Sequence, residues 1–138
     1  MIDAAIVGLD RWGRTLVASV QGKSNRLRFT HAVVRSPELH RDFAQAHGLV
    51  LATEFETVLI DPGITAVVLA TPHSLHCAEI IAAAAGGKHV FCEKPLTLRK
   101  AEAAQAIAAC ENAGVVLGVG TDKRFPAYHR GSANLRRR

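Results

Sequence analysis

Three cysteines in 138 residues, Cys77, Cys92 and Cys110, are too few and too widely spaced for a disulfide scaffold, and no C-x-x-C pair is present. They read as reduced, mostly buried small apolar side chains. No apolar run approaches the ~18 residues of a bilayer crossing. The opening Met1-Ile2-Asp3 places an acid where a signal peptide carries a basic cluster. A soluble, cytoplasmic protein without a membrane partner is expected. Internal repeats and low-complexity tracts are also missing. With 49% apolar and 21% charged residues, disorder and collagen-like structure are excluded, and one packed core is expected. Acidic residues are absent from positions 123–138, which hold 6 basic side chains, whereas residues 1–122 hold 11 basic and 12 acidic ones. The formal charge of +5 therefore belongs to a basic tail, and no nucleic-acid partner is expected.

What is present is an alternation of short apolar runs with helical patterns. Ile2 to Gly8 reads as a strand, and Gly13 to Gln21 as a helix with Leu16, Val17 and Val20 at helical spacing. Leu27 to Val34 is the next strand, and Pro37 opens a helix expected to run to His47. A weak strand near Leu49 to Ala52 precedes a short helix over Glu54 to Ile60. Thr65 to Ala70 is a strand and is followed by an alanine-rich helix ending at Ala85. His89 to Cys92, Leu98 to Ala113 and Val115 to Val119 complete the series as strand, helix and strand. Strands apolar on both faces and separated by helices belong to a covered parallel sheet. The expected fold is α/β, a doubly wound, mostly parallel Rossmann-type sheet over residues 1–122, with 123–138 as a tail.

The first strand-to-helix turn reads Gly8-Leu9-Asp10-Arg11-Trp12-Gly13. In a dinucleotide-binding turn the first glycine permits the tight bend, the second admits the pyrophosphate, and the third allows close helix packing. Here the middle glycine is Asp10. Its carboxylate repels pyrophosphate unless it turns outward or is neutralised by Arg11 or Arg14. Trp12 reads as packing within the turn. At the end of the second strand, where an acid would hold the ribose of NAD, the sequence is Val33-Val34-Arg35-Ser36. Arg35 and Ser36 suit a 2′-phosphate by charge and hydrogen bond, so NADP is the expected preference. Arg35 as a plain solvated residue is the other reading.

Two decoys fall away. Gly22-Lys23-Ser24 lacks the upstream glycine of a phosphate-binding P-loop, because Val17 stands there. The sole tyrosine, Tyr128, has Ser132 four positions on, so the Tyr-x-x-x-Lys class of nicotinamide enzymes is disfavoured.

Phe91-Cys92-Glu93-Lys94-Pro95 follows the fifth strand, at the sheet edge where open α/β folds bind ligands. Pro95 restricts Lys94 to extended backbone. Together with Ala70-Thr71-Pro72, His73 and His76, the Gly8 turn, Arg35-Ser36-Pro37-Glu38, and Arg124-Phe125-Pro126, this ordered set resembles the amino-terminal half of the Gfo/Idh/MocA family of NAD(P)-dependent oxidoreductases. The resemblance covers essentially residues 1–126. It implies a cofactor, NADP or NAD, held by Gly8, Asp10, Arg11, Trp12, Gly13, Arg35, Ser36, Ala70, Thr71, Pro72, His76, Glu93, Lys94 and Arg124.

It implies catalysis by Lys94, oriented by Glu93, on a sugar, polyol or related hydroxy compound, with a cis bond often preceding the proline. No metal is expected, and His76 takes a capping or substrate-edge role. The family's second α/β domain, which supplies the substrate pocket, is not expected in this chain. Residues 123–138 would be its truncated start. Turnover by the chain alone is then expected to be very low, and an uncovered surface predicts self-association as a homo-oligomer. The alternative reading is a non-catalytic module that binds a nucleotide or a partner.

Overall fold

The computed structural model describes residues 1–120, so the basic tail and Arg124 lie outside the described residues. Six strands form one sheet: β1 (Ile2–Val7), β2 (Leu27–Val33), β3 (Val50–Ala52), β4 (Ala66–Leu69), β5 (His89–Cys92) and β6 (Leu117–Val119). Five helices connect them: α1 (Arg11–Val20), α2 (Arg41–His47), α3 (Phe55–Leu59), α4 (His76–Ala85) and α5 (Lys100–Ala113). The strand order is β3-β2-β1-β4-β5-β6 and every pair is parallel, so the expected mostly parallel sheet is wholly so. This is the doubly wound order in which the chain starts at the centre and winds outward both ways.

Parallel strands buried on both faces need two cores, and the sheet has them. On one side Val17 of α1 and Ala44 of α2 pack with Ala4, Ile6, Phe29 and Ala32. On the other, Val58, Ile80, Ala83, Ala106 and Cys110 from α3, α4 and α5 pack with Ala5, Val7, Val67, Leu69 and Val90. Each fully buried Val, Leu or Ile side chain contributes roughly 1.5–3 kcal/mol. Lys88 is buried beneath this layer, and its Nζ donates to the carbonyls of Asp61 and Ile64, each at 2.6 Å. Those bonds stitch the start of β5 to the approach to β4.

The register places the strand ends at one level. Val7 pairs with both Val33 and Leu69, Val33 with Ala52, and Leu69 with Cys92, which pairs in turn with Val119. The residues that follow, Gly8, Val34, Thr53, Ala70, Glu93 and Gly120, therefore share one edge.

Several helix boundaries differ from expectation, the first being α1, which begins at Arg11 rather than Gly13. The helix opened by Pro37 is a 3-10 turn over Pro37–Leu39, and α2 starts only after His40, whose φ of −123° and ψ of 3° break the run. Thr71-Pro72 leads first into a 3-10 turn over His73–Leu75 and only then into α4. α5 begins at Lys100 rather than Leu98, because Arg99 is extended. Its carbonyl accepts from Thr97 Oγ1 at 2.8 Å. At the far end the Val115 amide closes the turn on Cys110, which delays β6 to Leu117.

On the α1 side of β4 to β6, Phe91, Val116 and Val119 line an apolar groove of about 530 Å3. They remain 38%, 56% and 38% exposed.

Candidate functional site

The level strand ends frame a cleft of about 370 Å3 lined by residues that lie far apart in sequence. Gly8, Leu9 and Asp10 come from the turn after β1, and Arg35, Ser36, Leu39 and His40 from the segment after β2. Thr53 and Phe55 follow β3, and Ala70, Thr71, Pro72, Leu75 and Glu79 follow β4. Its size is that of a small-molecule pocket.

The glycine turn explains itself sterically. Gly8 has φ +94°, and a Cβ there would stand 2.8 Å from the Ala70 carbonyl oxygen. A Cβ on Gly13 would overlap the Gly8 carbonyl oxygen. Strand β1, helix α1 and the Thr71 loop thus touch backbone to backbone. Asp10 occupies the middle position without strain, at φ −69° and ψ −176°. It is exposed and makes no side-chain capping bond, and the first helical bond runs from the Arg14 amide to the Asp10 carbonyl. The amides of Arg11, Trp12 and Gly13 therefore lie ahead of the helix's own ladder, the arrangement that receives an anion.

Arg14 does not neutralise Asp10, contrary to one of the two routes the sequence left open. Its Nε donates to the Leu9 carbonyl at 3.1 Å, and its Nη2 donates to His40 Nδ1 at 3.0 Å and the Leu39 carbonyl at 3.3 Å. Its guanidinium also lies over the Phe43 ring, 5.0 Å from the centroid. Among the described residues the one ion pair is Arg28 with Asp3, far from the turn. Asp10 is exposed and lines the cleft, so its carboxylate stays solvated at the mouth of the turn. Arg11 and Trp12 are exposed on the first turn of α1, outside the cleft lining.

Arg35 and Ser36 both reach the cleft, where His40 joins them. Arg14 can only donate, so His40 Nδ1 is the acceptor in that contact.

The Thr71 loop and the loop after β5 meet through His76. This side chain is 1% exposed. Its Nε2 lies 3.0 Å from the Thr71 carbonyl oxygen, and its Nδ1 lies 3.0 Å from that of Pro95 and 3.1 Å from that of Leu96. His76 sits beneath the cleft and not on its wall. His73 is exposed, and among the described residues no three His, Cys, Asp or Glu side chains gather as a metal site.

Glu93 and Lys94 stand on the loop that follows β5, and neither is among the residues that line the cleft. The Glu93 amide donates to the Leu69 carbonyl at 3.2 Å, and its half-buried carboxylate packs against Gly120. Lys94 is exposed, and the Lys94-Pro95 bond is cis.

Sequence reasoning missed Glu79. Its Oε1 accepts from Thr71 Oγ1 at 2.6 Å, and burial pushes its carboxyl up against the opposing pull of that bond and of His76. Burial likewise pushes the Cys92 thiol up to about 12, helped by Glu79 and Glu93, so it carries no thiolate at neutral pH. All three cysteines are free thiols.

The model of an oxidoreductase family with an NAD-binding Rossmann fold matches residues 2–121. The chain is 50% identical over 72 residues to the scyllo-inositol 2-dehydrogenase (NAD(+)) of Bacillus subtilis, a match covering 51% of this chain and 21% of that protein. Among solved structures, the WlbA dehydrogenase of Bordetella pertussis with NADH and UDP-GlcNAcA superposes with a TM-score of 0.79 at 29% identity, covering 86% of this chain and 34% of that one. Biliverdin reductase of Synechocystis with biliverdin and NADP+ gives 0.82 at 26%, covering 96% and 42%. The chain spans between about a fifth and two fifths of the length of the curated relatives it matches.

Proposed function

Because the chain belongs to the Gfo/Idh/MocA oxidoreductase family, we propose that it forms the cofactor-binding half of an enzyme that moves hydride between NADP and a sugar, polyol or related hydroxy compound. The observation that carries this reading is the glycine turn pressed against the Ala70 carbonyl, with three helix amides ahead of the α1 ladder. That cradle fits a pyrophosphate. Gly8 and Gly13 keep it open, and the segment Ala70-Thr71-Pro72 forms the next wall toward Lys94.

The preference for NADP rests on Arg35 and Ser36 in the cleft, with no carboxylate at the end of β2. A guanidinium and a hydroxyl hold a 2′-phosphate by charge-assisted hydrogen bonds, and the absent acid removes the repulsion that would reject it. The cofactor supplies the hydride chemistry. What the chain adds is a lysine ammonium, Lys94, at the nicotinamide end, donating to the oxygen that gains negative charge as a substrate hydroxyl loses its proton. Glu93 orients that loop.

The sugar or polyol class is supported by the inositol dehydrogenase and WlbA likenesses. Titration of the 138-residue chain with NADPH and NADH, read by cofactor fluorescence, tests the reading. Binding of both with NADPH tighter is expected. Binding of neither refutes the cofactor role, and tighter NADH refutes the NADP preference.

A further inference from the structure

His76 is the most buried polar side chain of the described residues, and all three of its neighbours in hydrogen-bonding range are backbone carbonyl oxygens. Carbonyl oxygens only accept. A neutral imidazole carries one N–H and one lone pair, so it can serve the Thr71 carbonyl or the Pro95 and Leu96 carbonyls, but not both. With the second ring nitrogen bare, two lone pairs face each other at about 3 Å in a site closed to water, an arrangement that costs the desolvation of an unmet polar group. With both nitrogens protonated, every contact is a donated bond from a cation.

The two loops so joined are the ones that the proposed function uses. Thr71 lies in the cleft wall, and Pro95 and Leu96 follow Lys94 directly. Resting on that reading, we propose that His76 is a positioning residue. Its doubly protonated ring fastens the Lys94 loop to the cofactor-lining Thr71 loop, and loss of one ring proton to solvent frees one of them. Lys94 then keeps its fixed place relative to the cleft only while His76 holds both hydrogens.

The charged and titratable groups around the ring fit this role. Glu79, one turn along α4, is the group whose charge is coupled to His76. Cys92, Glu93 and Lys94 come from the end of β5 and its loop, Cys77 and Glu102 lie toward α5, and the Thr71 loop brings only the exposed His73. Glu79 is also tied to Thr71 Oγ1, so the anion that favours the ring cation is anchored in the same wall.

The test is a pH titration of the isotopically labelled chain from about pH 5 to 9. Ring 15N shifts report the proton count on His76, and the amides of Thr71, His73, Leu96 and Thr97 report the two loops. The expected result is that the loop amides move with the midpoint of the ring. NADPH affinity should weaken by roughly five- to tenfold across the same midpoint, a step that His76→Gln removes. A ring that loses a proton while the loop amides stay still would overturn the proposal, as would a pH step in affinity that persists in His76→Gln. Should His76→Gln fail to fold, the wild-type amide shifts still decide. A chain that binds no dinucleotide at any pH counts against the cofactor reading, while the ring and amide shifts separately decide the clasp.

Discussion

Thr71 Oγ1 donates to Glu79 Oε1 at 2.6 Å, tying the loop after β4 to the helix that follows it at the edge of the cleft. Burial nevertheless pushes this carboxyl up. A carboxyl with a raised folded-state pKa keeps its proton longer in the folded chain. Stability is then greatest at low pH and declines as pH rises from the unfolded value near 4.5 through the folded one. Glu79→Gln keeps an acceptor for Thr71 without the buried charge. It should be more stable than the parent chain at pH 7, by less than about 1 kcal/mol after solvent screening, with the gap closing below pH 4.5. Urea unfolding at the two pH values measures it.

Gly13→Ala should destabilise by about 2 kcal/mol or more, since the new methyl group meets the backbone oxygen of Gly8 and not a yielding side chain. Chemical denaturation followed by circular dichroism is the check. A loss below 0.5 kcal/mol, the range of an ordinary surface change, would show that β1 and α1 are not locked at this contact.

Arg35→Ala should weaken NADPH by roughly tenfold, the equivalent of about 1.4 kcal/mol, and leave NADH nearly unchanged. An equal loss for both cofactors would place Arg35 elsewhere than at the 2′-phosphate. Binding curves for the two cofactors, taken with one protein preparation, separate these outcomes.

Asp10→Gly should tighten NADPH by about fivefold, close to the ~1 kcal/mol by which one unit charge opposes another at 4 Å in water. Asp10 caps nothing through its side chain, so the substitution removes charge without removing a helix bond. An unchanged dissociation constant would mean that the exposed carboxylate is already too well solvated to matter.

Thiol labelling at pH 8 should modify at most one cysteine of the folded chain. Cys92 and Cys110 are buried, and burial pushes all three thiols up. Half-buried Cys77 is the candidate, and three equivalents should react in denaturant. Rapid labelling of two or more in the native chain would contradict the packing around α5.

The sheet was legible because runs such as Thr65 to Ala70 are apolar on both faces, and only a covered parallel strand needs that. The turn was legible because both of its glycines, Gly8 and Gly13, are dictated by backbone overlap. Glu79 and His40 were not. Each owes its place to the chain's folding back on itself, Glu79 against the Thr71 loop and His40 against Arg14, twenty-six positions away. The role of His76 was half visible: its position suggested the site, but only the fold shows that it faces backbone oxygens from beneath. Helix starts slipped where a side chain or a single dihedral intervened, as at Arg99 and His40.

The common level of the six strand ends has an evolutionary reading. Strand pairing finishes at Val7, Val33, Ala52, Leu69, Cys92 and Val119, and nearly every residue that meets the cleft comes after them. Mutations in those loops can change which ligand is preferred while the ladders below stay intact. Ligand choice and foldability are thereby inherited through largely separate sets of positions, and one can drift without the other.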